Sequence, residues 1–597
     1  MKLQQRQYNL LDSLRVPLQS APLWTFIHLS IATLTSVSFL LQVLVTSEFV
    51  NRTLAIIDEN AEIHTIYWPV LALSALVMWS RYSESFERAA TCRIENGLRQ
   101  GFRYQVSAKR LTLKYAEVEN HKSWDLISRI TRDPEKSVVT GLKAVEGLGS
   151  FFIQAFGIFV MIAMNQWWAA ILCTVISVPM AYFALKSGQA QYDAERQVSN
   201  LERRYEYLSD VLLNRSTVYE RTLFGTIAQL SDRWTDYYQQ VRKHKLLVEL
   251  RWYIREQISA IVISLMTVVI ALVLLDSMLL GALTAGLYIA LLQGTAQLTT
   301  RVTELSGNLT DLTKTTEYYR DVTVLAAMDE SSEALIVPSH DAFEFKSLVF
   351  KNVSFRYPGT EKIVLENLNL EIIAGQHLAI VGKNGSGKTT LIKLISGLYQ
   401  DYEGDILLNG QSLRSYDPAV LKGVVSVLFQ DFARYSLSVK DNVILGDVEL
   451  IEDSRIDSTV EQALAKVGLD EIVAKFSQGI DTPLGKIEKD GQDISGGQWQ
   501  RLAMARTLVS GGSVLILDEP TAALDPISET NMYQEFDKLS RNYTTLFISH
   551  RLGSVKLADK ILLIDQGRVA EQGSHQQLMA QGGKYAQMYE SQKSWYQ

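Results

Sequence analysis

The chain has 597 residues, of which 47% are hydrophobic and 21% charged, and its formal net charge is −7. Since a domain usually holds about 150 residues, this length excludes a single compact core. The acidic balance argues against a nucleic-acid-binding protein. The two cysteines, Cys92 and Cys173, lie in no Cys/His cluster, which excludes a disulfide framework and a structural zinc site.

Charged residues are distributed very unevenly, and the long uncharged stretches predict helices that cross a membrane. No Asp, Glu, Lys or Arg occurs between Arg15 and Glu48, or between Glu146 and Lys186. A hydrocarbon core of about 30 Å needs about 20 apolar residues per helix. This length predicts six spans, with a short turn near Asp276 between the last two. The spans are about 23–46, 65–80, 147–164, 167–185, 257–275 and 277–300.

The positions of Lys and Arg predict the orientation in the membrane. Thirteen of them lie in residues 81–146 and twelve in 186–256, whereas the segment 46–64 has only Arg52. Loops rich in Lys and Arg stay on the cytoplasmic side. We therefore expect a multi-pass protein of the cytoplasmic membrane with both termini in the cytoplasm.

The composition changes after the sixth predicted span. Residues 1–328 form the predicted transmembrane domain, 329–342 a linker, and 343–597 a soluble α/β domain. In the soluble part, short apolar runs alternate with helical stretches, which is typical of a doubly wound parallel sheet. Ligands of such sheets bind at the carboxyl ends of the strands. The predicted strands are 348–357, 378–381, 514–517, 546–549 and 561–564.

A phosphate-binding pattern, Walker A, follows the strand 378–381. Glycine-rich loops of this kind turn backbone N–H groups toward phosphates at a helix N-terminus. Lys388 is expected to reach the β and γ phosphates of ATP, and the Thr389 hydroxyl to hold Mg²⁺. The residues predicted to bind ATP in this segment are Gly382, Lys383, Asn384, Gly385, Ser386, Gly387, Lys388, Thr389 and Thr390.

The strand 514–517 ends on two carboxylates that match Walker B. Asp518, at the tip of the strand, is predicted to hold Mg²⁺ through water. Glu519 is predicted to polarise the attacking water as a catalytic general base. Together with the Walker A loop upstream, the pair predicts an ATPase that uses ATP and Mg²⁺.

The segment 493–501, Asp-Ile-Ser-Gly-Gly-Gln-Trp-Gln-Arg, resembles the signature motif of ATP-binding cassette (ABC) transporters. Six spans before a C-terminal nucleotide-binding domain are similar to the exporter half-transporter of that family, so the resemblance covers the whole chain. It implies a membrane all-α six-helix domain followed by an α/β P-loop domain. It also implies further roles: adenine stacking by Tyr357, metal binding and catalysis by Gln430, a D-loop contact by Asp525 and catalysis by the switch histidine His550.

The resemblance further implies that two chains share each ATP. In the family, the signature of one protomer completes the site that the Walker A loop of the other begins. The residues expected to bind ATP in trans are Ser495, Gly496, Gly497, Gln498 and Asp525. Since neither Glu519 nor His550 is replaced, a homodimer is expected. Coupling helices are expected near Glu117–Trp124 and Asn214–Gly225.

Three features of the sequence resemble those of exporters of lanthipeptides and other ribosomally made, bacteriocin-like peptides. These are Trp499, the run 428–432 and the run 524–526. We therefore expect a peptide cargo, exported without an N-terminal peptidase domain, because only 22 residues precede the first span. A multidrug or lipid exporter with the same ATPase is the alternative. A membrane ATPase that acts as a sensor or immunity protein without transport is a third possibility.

Polar residues in the sixth predicted span indicate where cargo passes. Gln293, Gln297 and Thr300 recur at spacings of four and three, so they share one helix face. Polar side chains that face lipid are costly and usually turn to the bundle interior or to a water-filled cavity. We predict that these three residues line the substrate cavity.

Overall fold

A computed structural model of the chain describes residues 3–59, 61–165, 201–279, 283–331, 335–339, 343–486, 490–519, 543–549 and 558–593, with isolated positions between these ranges. The chain forms two compact units. The first comprises Met1–Leu111 and Asp125–Met328, and the second comprises Thr112–Trp124 and Asp329–Gln597. The segment Thr112–Trp124 therefore belongs to the C-terminal unit, whereas the sequence analysis includes it in the transmembrane domain 1–328.

Within the part of the chain that the structure describes, ten helices precede the strands of the second unit, and a turn of π-helix, Arg99–Arg103, joins the third to the fourth. The fifth helix lies in the segment that belongs to the second unit. The helices are α1 (Asp12–Ser20), α2 (Pro22–Ile57), α3 (Tyr67–Leu98), α4 (Tyr104–Leu111), α5 (Tyr115–Glu119), α6 (His121–Arg132), α7 (Pro134–Asn165), α8 (Val218–Phe224), α9 (Ile227–Leu279) and α10 (Ala285–Ala327).

Within the described residues, three helical stretches are long and apolar enough to cross a membrane: Pro22–Ile57, Ile63–Leu111 and Pro134–Met164. They contain the first three predicted spans, and the helices extend well beyond them. The fifth predicted span lies within α9, and most of the sixth lies within α10. The fourth predicted span, 167–185, falls largely outside the described residues.

The turn predicted near Asp276 is displaced in the structure. Asp276 lies inside α9, which continues to Leu279, and the next helix begins at Ala285. Two local features fix the later position. Gly281 has a φ of +73°, which a residue with a side chain rarely adopts. The Thr284 side chain accepts a hydrogen bond from the backbone N–H of Leu287 and so caps α10.

Close approach between α2 and α10 depends on a glycine and an asparagine. A Cβ atom at Gly286 would lie 2.1 Å from the carbonyl oxygen of Ser47, so only glycine fits. At the same junction, Asn51 donates to Thr284 Oγ1 at 2.9 Å and accepts from the backbone N–H of Gly286 at 2.8 Å. Small residues and amide hydrogen bonds of this kind are typical of packed membrane helices.

Two sheets form the framework of the second unit in the residues that the structure describes. The larger has six strands in the order β10-β9-β3-β8-β7-β6, all parallel except β10 at one edge. The smaller is antiparallel, in the order β2-β1-β4-β5. The strands are β1 (Ser347–Arg356), β2 (Ile363–Ile373), β3 (His377–Val381), β4 (Glu403–Leu408), β5 (Gln411–Ser412), β6 (Val425–Leu428), β7 (Val514–Asp518), β8 (Thr544–Ile548), β9 (Lys560–Asp565) and β10 (Arg568–Gly573).

Alternate residues of the parallel strands pack into two different cores. In β3, Leu378 and Ile380 belong to one hydrophobic cluster, and Ala379 and Val381 to the other. Both faces of the sheet are therefore buried, as the short uninterrupted apolar runs predict. The sequence analysis places the strand 348–357 in the parallel sheet. In the structure, this strand pairs with β2 and β4 in the antiparallel sheet instead.

Among the described residues, eight further helices belong to the second unit. The first of them follows β3 and begins at the predicted phosphate site. The helices are α11 (Lys388–Ile395), α12 (Pro418–Val424), α13 (Val439–Ile444), α14 (Ile456–Lys466), α15 (Asp470–Val473), α16 (Gly496–Val509), α17 (His575–Gln581) and α18 (Lys584–Lys593).

Candidate nucleotide site

A cleft of about 610 Å³ lies at the carboxyl ends of β3 and β7, where the sequence places the nucleotide. It brings together residues that are far apart in the chain. Its lining is Tyr357, Val364, Asn384, Gly385, Gly387, Lys388, Thr389, Thr390, Gln430 and Glu519. The Walker A loop, the predicted Q-loop glutamine and the second Walker B carboxylate therefore share one space.

The Walker A loop owes its shape to glycines. Gly385 has a φ of +75° and Gly387 a φ of +105°, both in the region that side chains disfavour. A Cβ at Gly387 would also lie 2.6 Å from Leu365 Cδ2. After this tight loop, α11 begins at Lys388, so its free N–H groups face the cleft, where a phosphate is favoured.

The ammonium group of Lys388 rests on its own loop. It donates to the carbonyl oxygens of Gly382 at 2.9 Å and Lys383 at 3.0 Å. Burial lowers the pKa of Lys388, and the Asp518 and Glu519 carboxylates counteract that effect. The group is thus a partly desolvated cation whose carbonyl contacts can be exchanged for phosphate oxygens.

Asp518 is a buried carboxylate, with 2% of its surface exposed. Burial and the neighbouring Glu519 carboxylate raise the pKa of Asp518 from 3.8 to about 6, although the Thr389 hydrogen bond and Lys388 act in the opposite direction. The Thr389 hydroxyl lies 3.3 Å from Asp518 Oδ2. A costly buried anion beside a hydroxyl suits a divalent cation with oxygen ligands.

The remaining ligands of such a cation would come from the nucleotide. No cluster of three or more His, Cys, Asp or Glu side chains that could hold a metal occurs among the residues that the structure describes. Mg²⁺ is commonly held by one or two protein groups together with substrate phosphates. Thr389 and Asp518 fit that requirement, and Mg²⁺ bound there would neutralise charge on the phosphates.

Glu519 has an unusual backbone. Its φ of +50° lies in the left-handed region, which non-glycine residues seldom occupy. Its N–H donates to the carbonyl of Ile548 at the end of β8 at 3.1 Å, and its carbonyl accepts from Gln500 Nε2 at 3.4 Å. Its side chain accepts from Gln430 Nε2 at 3.0 Å. Contacts from three separate segments thus hold Glu519 at the edge of the cleft, and the contact from Gln430 is to its carboxylate.

The signature segment forms the start of α16, which begins at Gly496. Ser495 and Gln498 form a capping box: Ser495 Oγ accepts from the Gln498 N–H at 3.3 Å, and the Ser495 N–H donates to Gln498 Oε1 at 2.8 Å. Because the Ser495 hydroxyl is an acceptor in this cap, its proton remains able to donate to a phosphate.

Not every predicted residue can be located. Asp525 and His550 lie outside the described part of the chain. In α10, Gln293 is exposed and Leu291 is buried, whereas the side chains of Gln297 and Thr300 also fall outside the described part.

Further along α10, the polar residue Asn308 contacts a neighbouring helix. A Cβ at Gly147 of α7 would lie 2.4 Å from the Asn308 amide nitrogen, so Asn308 lies against α7. At that level, the polar residues of α10 make a helix contact.

Sequence reasoning missed the role of Gln500, whose side chain is 4% exposed and donates to the backbone carbonyl oxygen of Glu519. Its place within the signature segment was the available signal. The segment Thr112–Trp124, which contains the coupling segment expected near Glu117–Trp124, packs with the nucleotide unit.

Comparisons with known proteins also indicate an ABC transporter. Residues 365–522 match the family model described as ABC transporter. The chain is 27% identical over 552 residues to the subtilin transport ATP-binding protein SpaT of Bacillus subtilis, covering 92% of this chain and 88% of that protein. It is 28% identical over 539 residues to an ATP-dependent lipid A-core flippase of Pseudomonas aeruginosa, covering 88% and 85% of the two chains.

A solved structure agrees in fold. A bacterial Atm1-family ABC exporter with ATP bound superposes with a TM-score of 0.74 at 22% identity, and the match covers 95% of this chain and 98% of that one. The architecture inferred from the sequence, a helical membrane part followed by a P-loop domain, is thereby confirmed. Residues 365–522 therefore form an ABC transporter domain, the chain has the fold of an ABC exporter, and its ATPase activity is coupled to transport.

Proposed function

We propose that this chain is one half of a homodimeric exporter in the cytoplasmic membrane, with both termini in the cytoplasm. Two ATP molecules, each with Mg²⁺, bind in sites that the two copies share. The cargo is a ribosomally made peptide, moved out of the cytoplasm.

The proposal of a dimer rests on one observation: two phosphate-binding elements of the nucleotide unit do not line the same cleft. The cleft is lined by the Walker A loop, Gln430 and Glu519, and none of its described lining residues comes from the signature segment 495–498. Yet the N-terminus of α16 has the small residues and free amides of a second anion site. A second copy, arranged head to tail, would bring its signature to this cleft.

An exposed apolar surface on α8 supports the same partner. Tyr219 is 82% exposed, Leu223 79% and Phe224 68%, and the adjoining Leu213 is 83% exposed. Contiguous apolar side chains of this size on a cytoplasmic segment mark a protein contact. The helix lies in the predicted coupling segment Asn214–Gly225, and we assign its exposed face to the nucleotide unit of the second copy.

Within each shared site, we assign the chemistry as follows. Lys388 and the loop amides bind the phosphates, Thr389 and Asp518 hold Mg²⁺, and Glu519 accepts the proton of the attacking water. Gln430 positions that carboxylate, because it already donates to Glu519 Oε2 at 3.0 Å. Tyr357 contacts adenine, since its ring lines the cleft.

The peptide cargo rests on the sequence resemblance and on one of the relatives, whose name refers to subtilin transport. The other relative, of nearly equal identity, is named for lipid A-core, so a lipid cargo is the second candidate. Exposed Gln293 favours the peptide, because amide groups match the hydrogen-bonding capacity of a peptide backbone better than that of acyl chains.

Transport into inverted vesicles tests the function. The purified full chain is placed in vesicles, and ATP-dependent uptake of dye-labelled subtilin is compared with ATP-dependent flipping of a dye-labelled phospholipid. Glu519→Gln protein serves as the inactive control. Uptake of the peptide without lipid flipping supports the proposal, and the reverse pattern assigns the lipid alternative. ATP hydrolysis with neither movement would contradict export of either cargo and favour the sensor.

A further inference from the structure

Glu119, at the end of α5, is bound to the nucleotide unit through two side chains. One of its carboxylate oxygens forms an ion pair with the ammonium group of Lys393 in α11. The other accepts a hydrogen bond from the hydroxyl group of Tyr399, which is 4% exposed. Lys393 itself is only 14% exposed. An ammonium group this far from water needs a partner, and Glu119 supplies it.

The same ammonium group also contacts aromatic rings. Lys393 Nζ lies 5.4 Å from the ring centroid of Tyr357 and 5.5 Å from that of Tyr115 in α5. Both distances are within the range of a cation–π contact. Tyr399 packs edge-to-face against both tyrosines, at 5.6 Å from Tyr357 and 5.5 Å from Tyr115. Lys393 and Tyr399 are thus the common neighbours of Tyr357, Tyr115 and Glu119.

Tyr357 is held on its remaining sides as well. Phe355 meets it edge-to-face at 5.2 Å, and its hydroxyl lies 2.9 Å from Thr390 Oγ1. Its ring lines the nucleotide cleft. The ring that we assign to adenine therefore has its position fixed by a network that ends on Glu119.

The charges of the network support the same arrangement. Burial lowers the pKa of Lys393, but its hydrogen bond to Glu119 and the nearby tyrosines outweigh that effect, so the pKa of Lys393 is raised overall. Burial and the Glu119 hydrogen bond also raise the pKa of Tyr399. Lys393 thus stays charged and Tyr399 protonated at neutral pH, as the ion pair and the hydrogen bond require.

We propose that Glu119 and Lys393 are positioning residues of the ATP site, which set the orientation of Tyr357 and make the cytoplasmic segment Thr112–Trp124 a structural part of the adenine pocket. Loss of either charge leaves the other partly buried without its partner, and the contact of the Lys393 ammonium group with the Tyr357 ring is lost. Binding of the base then weakens, while the phosphates keep their own ligands. The inference rests on the proposed contact between Tyr357 and adenine.

Steady-state ATPase assays on the full chain test this inference. Glu119→Gln and Lys393→Met are each expected to raise the KM for ATP about fivefold with kcat changed less than about twofold. The double variant should be no worse than either single variant, because both remove one interaction. Lys393→Arg keeps the charge and should stay within about twofold of the parent KM.

Inhibition by tripolyphosphate separates positioning from general damage. This probe has no base, so its inhibition constant should be the same in all of these variants. A matched control is the exposed pair Glu344 and Lys346, at 3.7 Å, near the opposite end of β1 from Tyr357. Glu344→Gln and Lys346→Met should leave the KM for ATP unaltered.

The Tyr357→Ala variant separates the adenine contact of Tyr357 from the positioning role of Glu119 and Lys393. If it leaves the KM for ATP unaltered, the adenine contact is wrong and the inference falls with it. If it raises the KM while Glu119→Gln and Lys393→Met do not, the adenine contact stands and the positioning role is refuted. A parallel rise in the KM and in the tripolyphosphate constant would also refute it, because the damage would then not be specific to the base.

Discussion

Replacing Asp518 by asparagine should stabilise the protein while removing its response to Mg²⁺. The pKa of Asp518 lies at about 6 in the folded chain against an ordinary value of 3.8. At 1.36 kcal/mol for each pH unit, keeping this carboxylate ionised costs the fold about 3 kcal/mol at pH 7.5. An amide of the same shape has no such cost and can still accept from the Thr389 hydroxyl.

The sign of the pH dependence makes the prediction specific. The folded pKa is raised, so the folded state binds the extra proton, and the parent becomes more stable as pH falls from about 6 toward 3.8. The advantage of Asp518→Asn should therefore be full at pH 7.5 and disappear near pH 4.

Thermal unfolding of the purified full chain measures both effects. For a unit of roughly 250 residues, about 3 kcal/mol corresponds to about 6–12 °C in the melting temperature of the nucleotide unit. The parent should gain further stability from ATP with Mg²⁺, and the variant should gain no more than from ATP alone. Equal melting temperatures at pH 7.5 would show that Asp518 is not a destabilised anion, and a preserved Mg²⁺ response would show that it does not hold the metal.

Three further predictions concern turnover, site sharing and the transport path. Glu519→Gln should keep ATP affinity and lower turnover at least about 100-fold, because an amide cannot accept the proton of the attacking water. Lys388→Ala should instead lose ATP binding itself. A nucleotide-binding assay measures affinity, and phosphate release measures turnover. Mixed dimers of Lys388→Ala and Ser495→Arg chains should regain part of the ATPase, since both lesions fall in one shared site, and no recovery in verified mixed dimers would count against sharing. Changing Gln293 and Gln297 together to Leu should alter cargo-stimulated ATPase and export but not basal ATPase; unaltered export across a cargo titration would remove these residues from the path.

The parts of the fold that the sequence predicted are those with strong local patterns. The uninterrupted apolar runs 378–381 and 514–517 gave the central parallel strands, because a strand buried on both faces needs apolar residues at every position. The Walker A loop was predicted because its glycines meet a backbone requirement at fixed spacing. In both cases, the physical constraint acts within a few neighbouring residues.

Features without a strong local pattern, and those that depend on residues far apart in the chain, were not predicted. The turn near Asp276 was misplaced because composition alone did not show that Thr284 caps the following helix. The antiparallel pairing of β1 with β2 and β4 depends on partners that periodicity does not identify. The contact of Glu119 with Lys393 joins positions 274 residues apart, and no spacing rule relates them.

The length of α9 has a mechanical consequence. Its 53 residues run without interruption from Ile227 to Leu279. At 1.5 Å per residue it is about 80 Å long, more than twice the hydrocarbon thickness of a bilayer. A rigid rod of that length works as a lever: a tilt of about 5° about one end displaces the other end by about 7 Å. Opening a passage for cargo therefore requires no unwinding of this helix, since a small rotation about one end produces a large displacement at the other.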